Sequence, residues 1–428
     1  MIDHRSAYDA WNVSEEILAL GQSIEEELQD VFRTIRLTRE HNQLKVLKAF
    51  QDAHMAEADF GGSSGYGYDD RGREKLEEVY ARVMGTEKAL VRWQISSGTH
   101  ALALILFGIL RPGDDFLSIT GTLYDTLQDT LGNGEAADTD MGSLRDLGVS
   151  CRQMELLSDG TIDFDNIKDN VKHNTKMVWI QRSRGYKNRP AITIEQIERA
   201  VQVCRSINHS IIVAVDTCYG EFVETREPGD VGADIMAGSL IKNPGGGLAQ
   251  TGGYVAGRAD LVEKAAYRLT APGVGSEIGP TMGISRQIAQ GFYQAPHSVA
   301  ECLQGLVFTA ALLEKLGYKT SPGPRERRSD IVQVIEFSRA EELIHFCQSI
   351  QQVSPVDSFV SPVPAPMPGY EAEVIMAAGA FVQGSSMELS ADGPLREPYQ
   401  AYMQGGIVYE NIKLAALVAA QKMKGNRD

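Results

Sequence analysis

Cysteine is scarce in this sequence, and the few present form no pattern. Cys151, Cys204, Cys218, Cys302 and Cys347 are widely spaced with no C-x-x-C, which excludes a zinc ribbon and a disulfide framework and suits a reducing compartment. The 8 histidines show no H-E-x-x-H or comparable ligand spacing, so no metal site is expected. Gly-Lys-Ser/Thr is absent, which removes a P-loop. The run Gly273-Val274-Gly275-Ser276-Glu277-Ile278-Gly279 misses G-x-G-x-x-G and follows a helical pattern, not a strand. Positive charge is in deficit: 41 Lys and Arg against 57 Asp and Glu give a net charge of −16, which argues against a nucleic-acid partner. The apolar run 101–110 is too short to cross a membrane and reads as a buried helix. Met1-Ile2-Asp3-His4-Arg5-Ser6 lacks the apolar core of a signal peptide, so a cytoplasmic protein with no membrane partner is expected.

What is there is a globular composition, 43% hydrophobic and 23% charged, in a chain long enough to bury large cores. Residues 1–60 read as helical. Ser14 is a candidate N-cap with Glu15 and Glu16 behind it, and apolar positions recur through Val31, Ile35, Leu44 and Leu47. This segment precedes any strand, so an arm packing on another body, such as a second subunit, is expected. A glycine-rich loop over 61–68 carries Tyr66 and Tyr68 and leads into a helix near 72–84. Strand patterns at 89–93, 116–120, 176–181, 211–215, 234–240 and 253–256 then alternate with helices such as 99–110 and 192–207. That alternation predicts an α/β domain over 61–295 with a mostly parallel sheet covered on both faces. Beyond 296 the pattern becomes that of a smaller α+β domain, with helices at 299–316, 340–352 and 411–423 and strands at 330–337, 374–376 and 387–389.

Two residues stand out within the alternation. Asp216 closes the apolar strand Ile212-Val213-Ala214-Val215, and Lys242 follows the next strand in Gly238-Ser239-Leu240-Ile241-Lys242-Asn243-Pro244-Gly245-Gly246-Gly247. Ligands of parallel sheets sit at the carboxyl ends of strands, where both residues fall. A Lys amine that forms a Schiff base and a carboxylate that pairs with a pyridinium nitrogen suit an aldehyde cofactor, pyridoxal phosphate. Such a Lys needs a lowered pKa, which burial and cationic neighbours provide. Ser96-Ser97-Gly98-Thr99-His100 joins a strand to a helix and makes an anion site of backbone amides, or simply an N-cap. Tyr124 follows the strand 116–120 and either stacks on a flat ring or packs in the core. Arg182 and Arg184, beyond the strand 176–181, suit contact with an anion or a ring hydroxyl, or surface ion pairs. Arg396, in a polar loop of the second domain, is a candidate for bidentate grip on a substrate carboxylate.

In four blocks the sequence resembles the methionine gamma-lyase-like family, also labelled cystathionine beta-lyase-like or aluminium resistance proteins. They are Ser96 to Leu102, Gly185 to Pro190, Asp216 to Phe222 and Gly238 to Gly246, in order along the chain. The resemblance implies an aspartate-aminotransferase-type fold (fold type I), pyridoxal phosphate as cofactor, and a homodimer or homotetramer whose active site is shared between subunits. It implies that Lys242 holds the cofactor and moves the α-proton, that Asp216 pairs with the ring nitrogen and that Tyr124 stacks on the ring. Ser97, Gly98, Thr99 and Ser239 hold the phosphate, Tyr68 and Arg71 reach a neighbour's phosphate site, and Arg396 binds the substrate α-carboxylate. The implied activity is elimination from a sulfur amino acid to a thiol, ammonia and a 2-oxo acid, with Tyr124 assisting the leaving group as a general acid.

The sequence departs from the better-known transsulfuration lyases at three points. Ile241 stands where they carry Thr before the Lys, Tyr68-x-x-Arg71 replaces Tyr-x-Arg, and Asp216-Thr217-Cys218 replaces Asp-Asn-Thr. Two other readings stay open: another reaction of the same cofactor on amino acids, such as an aminotransferase or aldolase, and a cofactor-binding protein of low turnover with a role in metal tolerance. A desulfurase needs a mobile reactive Cys, and Cys347 lies in a helical pattern.

Overall fold

The computed structural model describes residues 6–134, 140–185, 187, 189–367 and 372–425. It divides into two compact units, one of residues 41–296 and one of residues 1–40 with 297–428.

The first unit is built on a seven-stranded sheet of order β1-β7-β6-β5-β4-β2-β3. Its strands are β1 (Lys88–Arg92), β2 (Asp115–Ser118), β3 (Ser150–Gln153), β4 (Thr175–Gln181), β5 (Ile212–Asp216), β6 (Ile235–Ser239) and β7 (Gly253–Gly257). β2 through β6 pair in parallel, while β7 runs against both β1 and β6. Central strands covered on both faces need apolar side chains at every position, and β5 and β6 are buried throughout. The helix Gly98–Ile109 buries Leu102, Ile105 and Leu106 in the same core as Trp179, Ala214 and Ala237 of the sheet and Leu261 and Ala265 of the helix Ala259–Leu269. Sequence reasoning missed β3, a short edge strand whose half-exposed Ser-Cys-Arg-Gln has no apolar alternation.

The second unit carries a five-stranded antiparallel sheet of order β10-β11-β12-β9-β8. Its strands are β8 (Lys319–Ser321), β9 (Val332–Phe337), β10 (Val374–Ala377), β11 (Ser390–Pro394) and β12 (Tyr399–Gln404). The strand expected at 387–389 is instead Ser390–Pro394, because Ser-Ala-Asp-Gly-Pro reads as a turn until it is buried, and β8 and β12 were not foreseen. The helical arm expected over 1–60 is split between the units. Its first part packs within its own chain: Ile17, Ile24, Leu28 and Phe32 share a core with Phe308, Leu312 and Leu417. The helix expected from residue 299 begins at Ser285 and carries Pro296 in its interior, where the sequence suggested a boundary. Among the described residues no helix is long and apolar enough to cross a membrane, and no His, Cys, Asp and Glu group is placed to hold a metal ion.

Candidate active site

Parallel pairing lines up the carboxyl ends of three strands. Gln181 of β4 registers with Asp216 of β5, and Asp216 with Ala237 of β6, two residues before Ser239. Asp216 is 4% exposed, and its Oδ1 accepts from the Cys218 amide at 3.1 Å. Burial pushes its carboxyl pKa up to about 6, against the Cys218 hydrogen bonds and the charges of Lys242 and Arg189. Gln181 accepts from the Tyr124 amide at 3.2 Å, so the end of β4 sets the backbone of the loop that carries the tyrosine.

Lys242 leaves the end of β6 half-buried. Its Nζ is 2.8 Å from the Tyr219 hydroxyl and 4.0 Å from the centroid of the Tyr219 ring. Tyr219 itself holds a left-handed backbone, φ 71°, a conformation uncommon for a bulky residue and one that aims the phenol at the amine. Among the described residues no carboxylate lies within ion-pair distance of Lys242. Burial works to lower its pKa, but Tyr219, Cys218 and Asp216 outweigh that and the net direction is upward. The sequence argument expected a lowered pKa from cationic neighbours; the groups acting on this amine are a phenol, a thiol and a carboxylate.

The start of the helix Gly98–Ile109 abuts the same strand ends. Ser97 is its N-cap and accepts from the His100 amide at 3.0 Å, while Ser96 donates its amide to His100 Nδ1 at 3.1 Å. A Cβ on Gly98 would stand 3.3 Å from Ser239 Cβ and 3.5 Å from Cys218 Sγ, so the helix start approaches β6 closely enough that a side chain here would press on Ser239. First-turn amides of a helix lack internal partners and carry its positive end, which favours an anion here. Tyr124 donates its hydroxyl to Thr99 Oγ1 at 3.1 Å, and burial together with the Asp216 charge pushes the phenol far up. The structure thus brings together Ser97, Gly98, Thr99, Tyr124, Asp216, Ser239 and Lys242.

The remaining predicted residues are placed differently. Arg184 is buried beyond the end of β4. Arg182 is not at the surface: it is fully buried between Glu224 at 3.2 Å and Glu227 at 3.3 Å, an internal ion pair. Tyr68 is 62% exposed with its ring 5.6 Å from that of Tyr66, and Arg71 is an exposed helix-start residue 3.4 Å from Asp59. Arg396 is exposed in the hairpin between β11 and β12 of the second unit. Sequence reasoning missed Tyr219, Arg189 and Gln181 as parts of the site. Spacing from Asp216 is the only signal for Tyr219, which follows it by three residues.

The family model for methionine gamma-lyase matches residues 17–424. The uncharacterized Bacillus subtilis protein YnbB is 47% identical over 418 residues, covering 97% of this chain and 98% of its own. The solved structure of a carbon-sulfur lyase involved in aluminum resistance from Clostridium novyi is 46% identical with a TM-score of 0.94, covering 99% of this chain and 100% of that one. At 16% identity and TM-score 0.61, the pyridoxal-5'-phosphate dependent protein YhfS from Escherichia coli shares the fold over 91% of this chain and 97% of that one. The fold is therefore the aspartate-aminotransferase type, as the resemblance implied.

Proposed function

The chain belongs to the methionine gamma-lyase family, whose cofactor is pyridoxal phosphate, and on that premise we propose that it is a carbon–sulfur lyase acting on sulfur amino acids. The observation that carries this reading is the Lys242 amine held by Tyr219 at 2.8 Å, with the buried Asp216 carboxylate on the neighbouring strand end.

The residues present fit the cofactor. The open helix start with Ser97, Gly98 and Thr99, closed on one side by Ser239, suits a phosphate. A buried carboxylate whose pKa stands at about 6 suits a ring N–H as partner. An amine with no ion-pair partner among the described residues is available for covalent attachment. Bound there, pyridoxal phosphate supplies an electron sink for the pair left when a bond to the substrate α-carbon breaks.

The chain's own residues supply the rest. Asp216 keeps the ring nitrogen protonated. Lys242 Nζ removes the α-proton, and the Tyr219 hydroxyl holds that amine in place between steps. Tyr124, kept protonated by its burial, gives its proton to the departing sulfur. With water taken up, the products are a thiol, ammonia and a 2-oxo acid. In this reading Arg396 receives the substrate carboxylate, Arg184 supports the cofactor, and the exposed Tyr68 and Arg71 serve the site of a second copy in a homodimer or homotetramer. A desulfurase reading loses support, since Cys347 is fully buried and its thiol is pushed well up by that burial.

The test is release of a 2-oxo acid from cystathionine, methionine and cysteine by the purified, pyridoxal-phosphate-loaded protein. Lys242→Ala is expected to lose the visible absorbance and to cut turnover by more than about a thousandfold. A Lys242→Ala protein that kept both, or a wild type that bound the cofactor yet released no 2-oxo acid from any of the three, would sink this reading.

A further inference from the structure

Behind the strand ends lies a second polar cluster that the mechanism above does not use. Thr217, the residue after Asp216, donates its hydroxyl to Ala237 O at 2.9 Å and lies 3.2 Å from Glu221 Oε1 and 2.5 Å from the Tyr254 hydroxyl. The Tyr254 hydroxyl is 2.9 Å from the same Glu221 oxygen. Asn243, the residue after Lys242, donates from Nδ2 to the Glu221 carbonyl at 2.9 Å. All four side chains are 0% exposed. Position 238 of β6 makes the room: a Cβ there would come within 2.6 Å of Glu221 Oε1 and 2.7 Å of Tyr254 Cε1. The chain therefore gives up a side chain in a central strand to seat this carboxyl group.

The cluster has fewer hydroxyl hydrogens than contacts, and a proton on Glu221 Oε1 narrows the shortfall. Thr217 and Tyr254 bring one hydroxyl hydrogen each to the contacts joining Thr217, Tyr254, Glu221 and Ala237, and a neutral carboxylic acid adds a third. Burial pushes Glu221 up to about 8, against a hydrogen bond from its own backbone amide; Glu227 works in the same direction as burial, and Tyr254 and Arg182 against it. The buried Tyr80 phenol also faces it, with burial holding that phenol far up.

We propose that Glu221 is the positioning residue of this site: through its carboxyl group and its carbonyl it ties Thr217 and Asn243, the chain neighbours of Asp216 and Lys242, into one hub beneath the sheet. The hub fixes the two reacting side chains relative to each other without touching the ligand. This rests on the pyridoxal phosphate reading of the site, because that reading is what makes the Asp216–Lys242 geometry matter. Misplacing reacting groups by about 1 Å is enough to cost about a hundredfold in rate.

The experiment compares wild type, Glu221→Ala, Glu221→Gln, Thr217→Val and the Thr217→Val/Glu221→Ala double variant, all loaded with pyridoxal phosphate. The readouts are the visible absorption and its pH profile, cofactor affinity, kcat and KM. Glu221→Ala is expected to lower kcat by about tenfold to a hundredfold with KM within about threefold, and to shift the pH profile of the visible band. Glu221→Gln, which keeps a neutral group able to donate and accept, is expected to recover most of the loss. The double variant is expected to be no worse than Glu221→Ala, since both changes cut one linkage. A Glu221→Ala protein with wild-type band and kcat overturns the proposal, as does a Gln variant as poor as the Ala one. Should Glu221→Ala fail to fold, Thr217→Val alone decides: unchanged kcat and band overturn the proposal, and a loss in both supports it. A wild type with no borohydride-sensitive band overturns the underlying reading and this proposal with it, whereas a normal wild-type band beside an indifferent Glu221→Ala overturns this proposal alone.

Discussion

Two buried carboxyl groups flank the end of β5, and they face opposite environments. Asp216 lies on the side of the helix start, Tyr124 and Lys242, where the candidate cofactor-binding groups converge. Glu221 looks into a closed cluster of Thr217 and Tyr254 with Gly238 beneath it. Burial raises both, to about 6 and about 8. Backbone amides offset it in both; beyond them a thiol and the charges of Lys242 and Arg189 act on Asp216, and the Tyr254 phenol and the Arg182 charge act on Glu221. One side of the strand end is thus prepared to hold charge for chemistry, and the other to hold a proton for structure.

Replacing Asp216 probes the first side. Asp216→Asn keeps the shape and the acceptor for the Cys218 amide but loses the charge. We expect kcat to fall by about a hundredfold or more, while the cofactor-free protein melts no lower than wild type, because a buried carboxylate has been removed. Thermal melts and steady-state kinetics on the same sample check this; a fall in both would mean that Asp216 is a structural member of the sheet. Gly238→Ala probes the second side and should behave in the opposite way. Its new Cβ meets Glu221 Oε1 at 2.6 Å and Tyr254 Cε1 at 2.7 Å, and overpacking of this kind costs about 1–3 kcal/mol. Stability and turnover are expected to fall together, and an unchanged melting temperature would show that the closed cluster has slack. Smaller still is Tyr219→Phe, which removes one hydrogen bond to the Lys242 amine. A bond to a charged group is worth about 1.5–3 kcal/mol, so a loss in kcat of about tenfold to a hundredfold is expected, with the fold intact.

The open side was legible in the sequence and the closed side was not. Asp216, Lys242 and Ser97 to Thr99 sit where a strand pattern ends or a helix pattern begins, and those boundaries follow from local periodicity. Arg182 and Arg184 were placed on the correct strand end, but a sequence cannot tell that Arg182 is sealed between Glu224 and Glu227, which follow it by about forty residues. Tyr219 and Glu221 lie in one loop with Asp216, yet their directions depend on left-handed backbone at Tyr219, φ 71°, and Phe222, φ 63°. Neither residue type signals that conformation, so nothing local predicts that one side chain reaches Lys242 and the other turns to Tyr254. Gly238 reads as a weak point in a strand until the carboxyl group it accommodates is seen.

The gentlest way to separate the two carboxyl groups is the pH dependence of stability in the cofactor-free protein. A free Glu ionises near about 4.3, whereas Glu221 in the fold holds its proton to about 8. Between those values the folded chain binds a proton that the unfolded chain has released, so stability falls as pH rises. Asp216 contributes with the same sign, but only up to about 6. Glu227, also raised by burial, leaves a common background. Glu221→Gln should therefore flatten the decline of melting temperature over the whole interval up to about 8, whereas Asp216→Asn should flatten it only below about 6. Melts taken in steps across this range distinguish the two. If Glu221→Gln declines as steeply as wild type on the alkaline side, Glu221 is already ionised at neutral pH, and the contrast between a charged open face and a protonated closed one is lost.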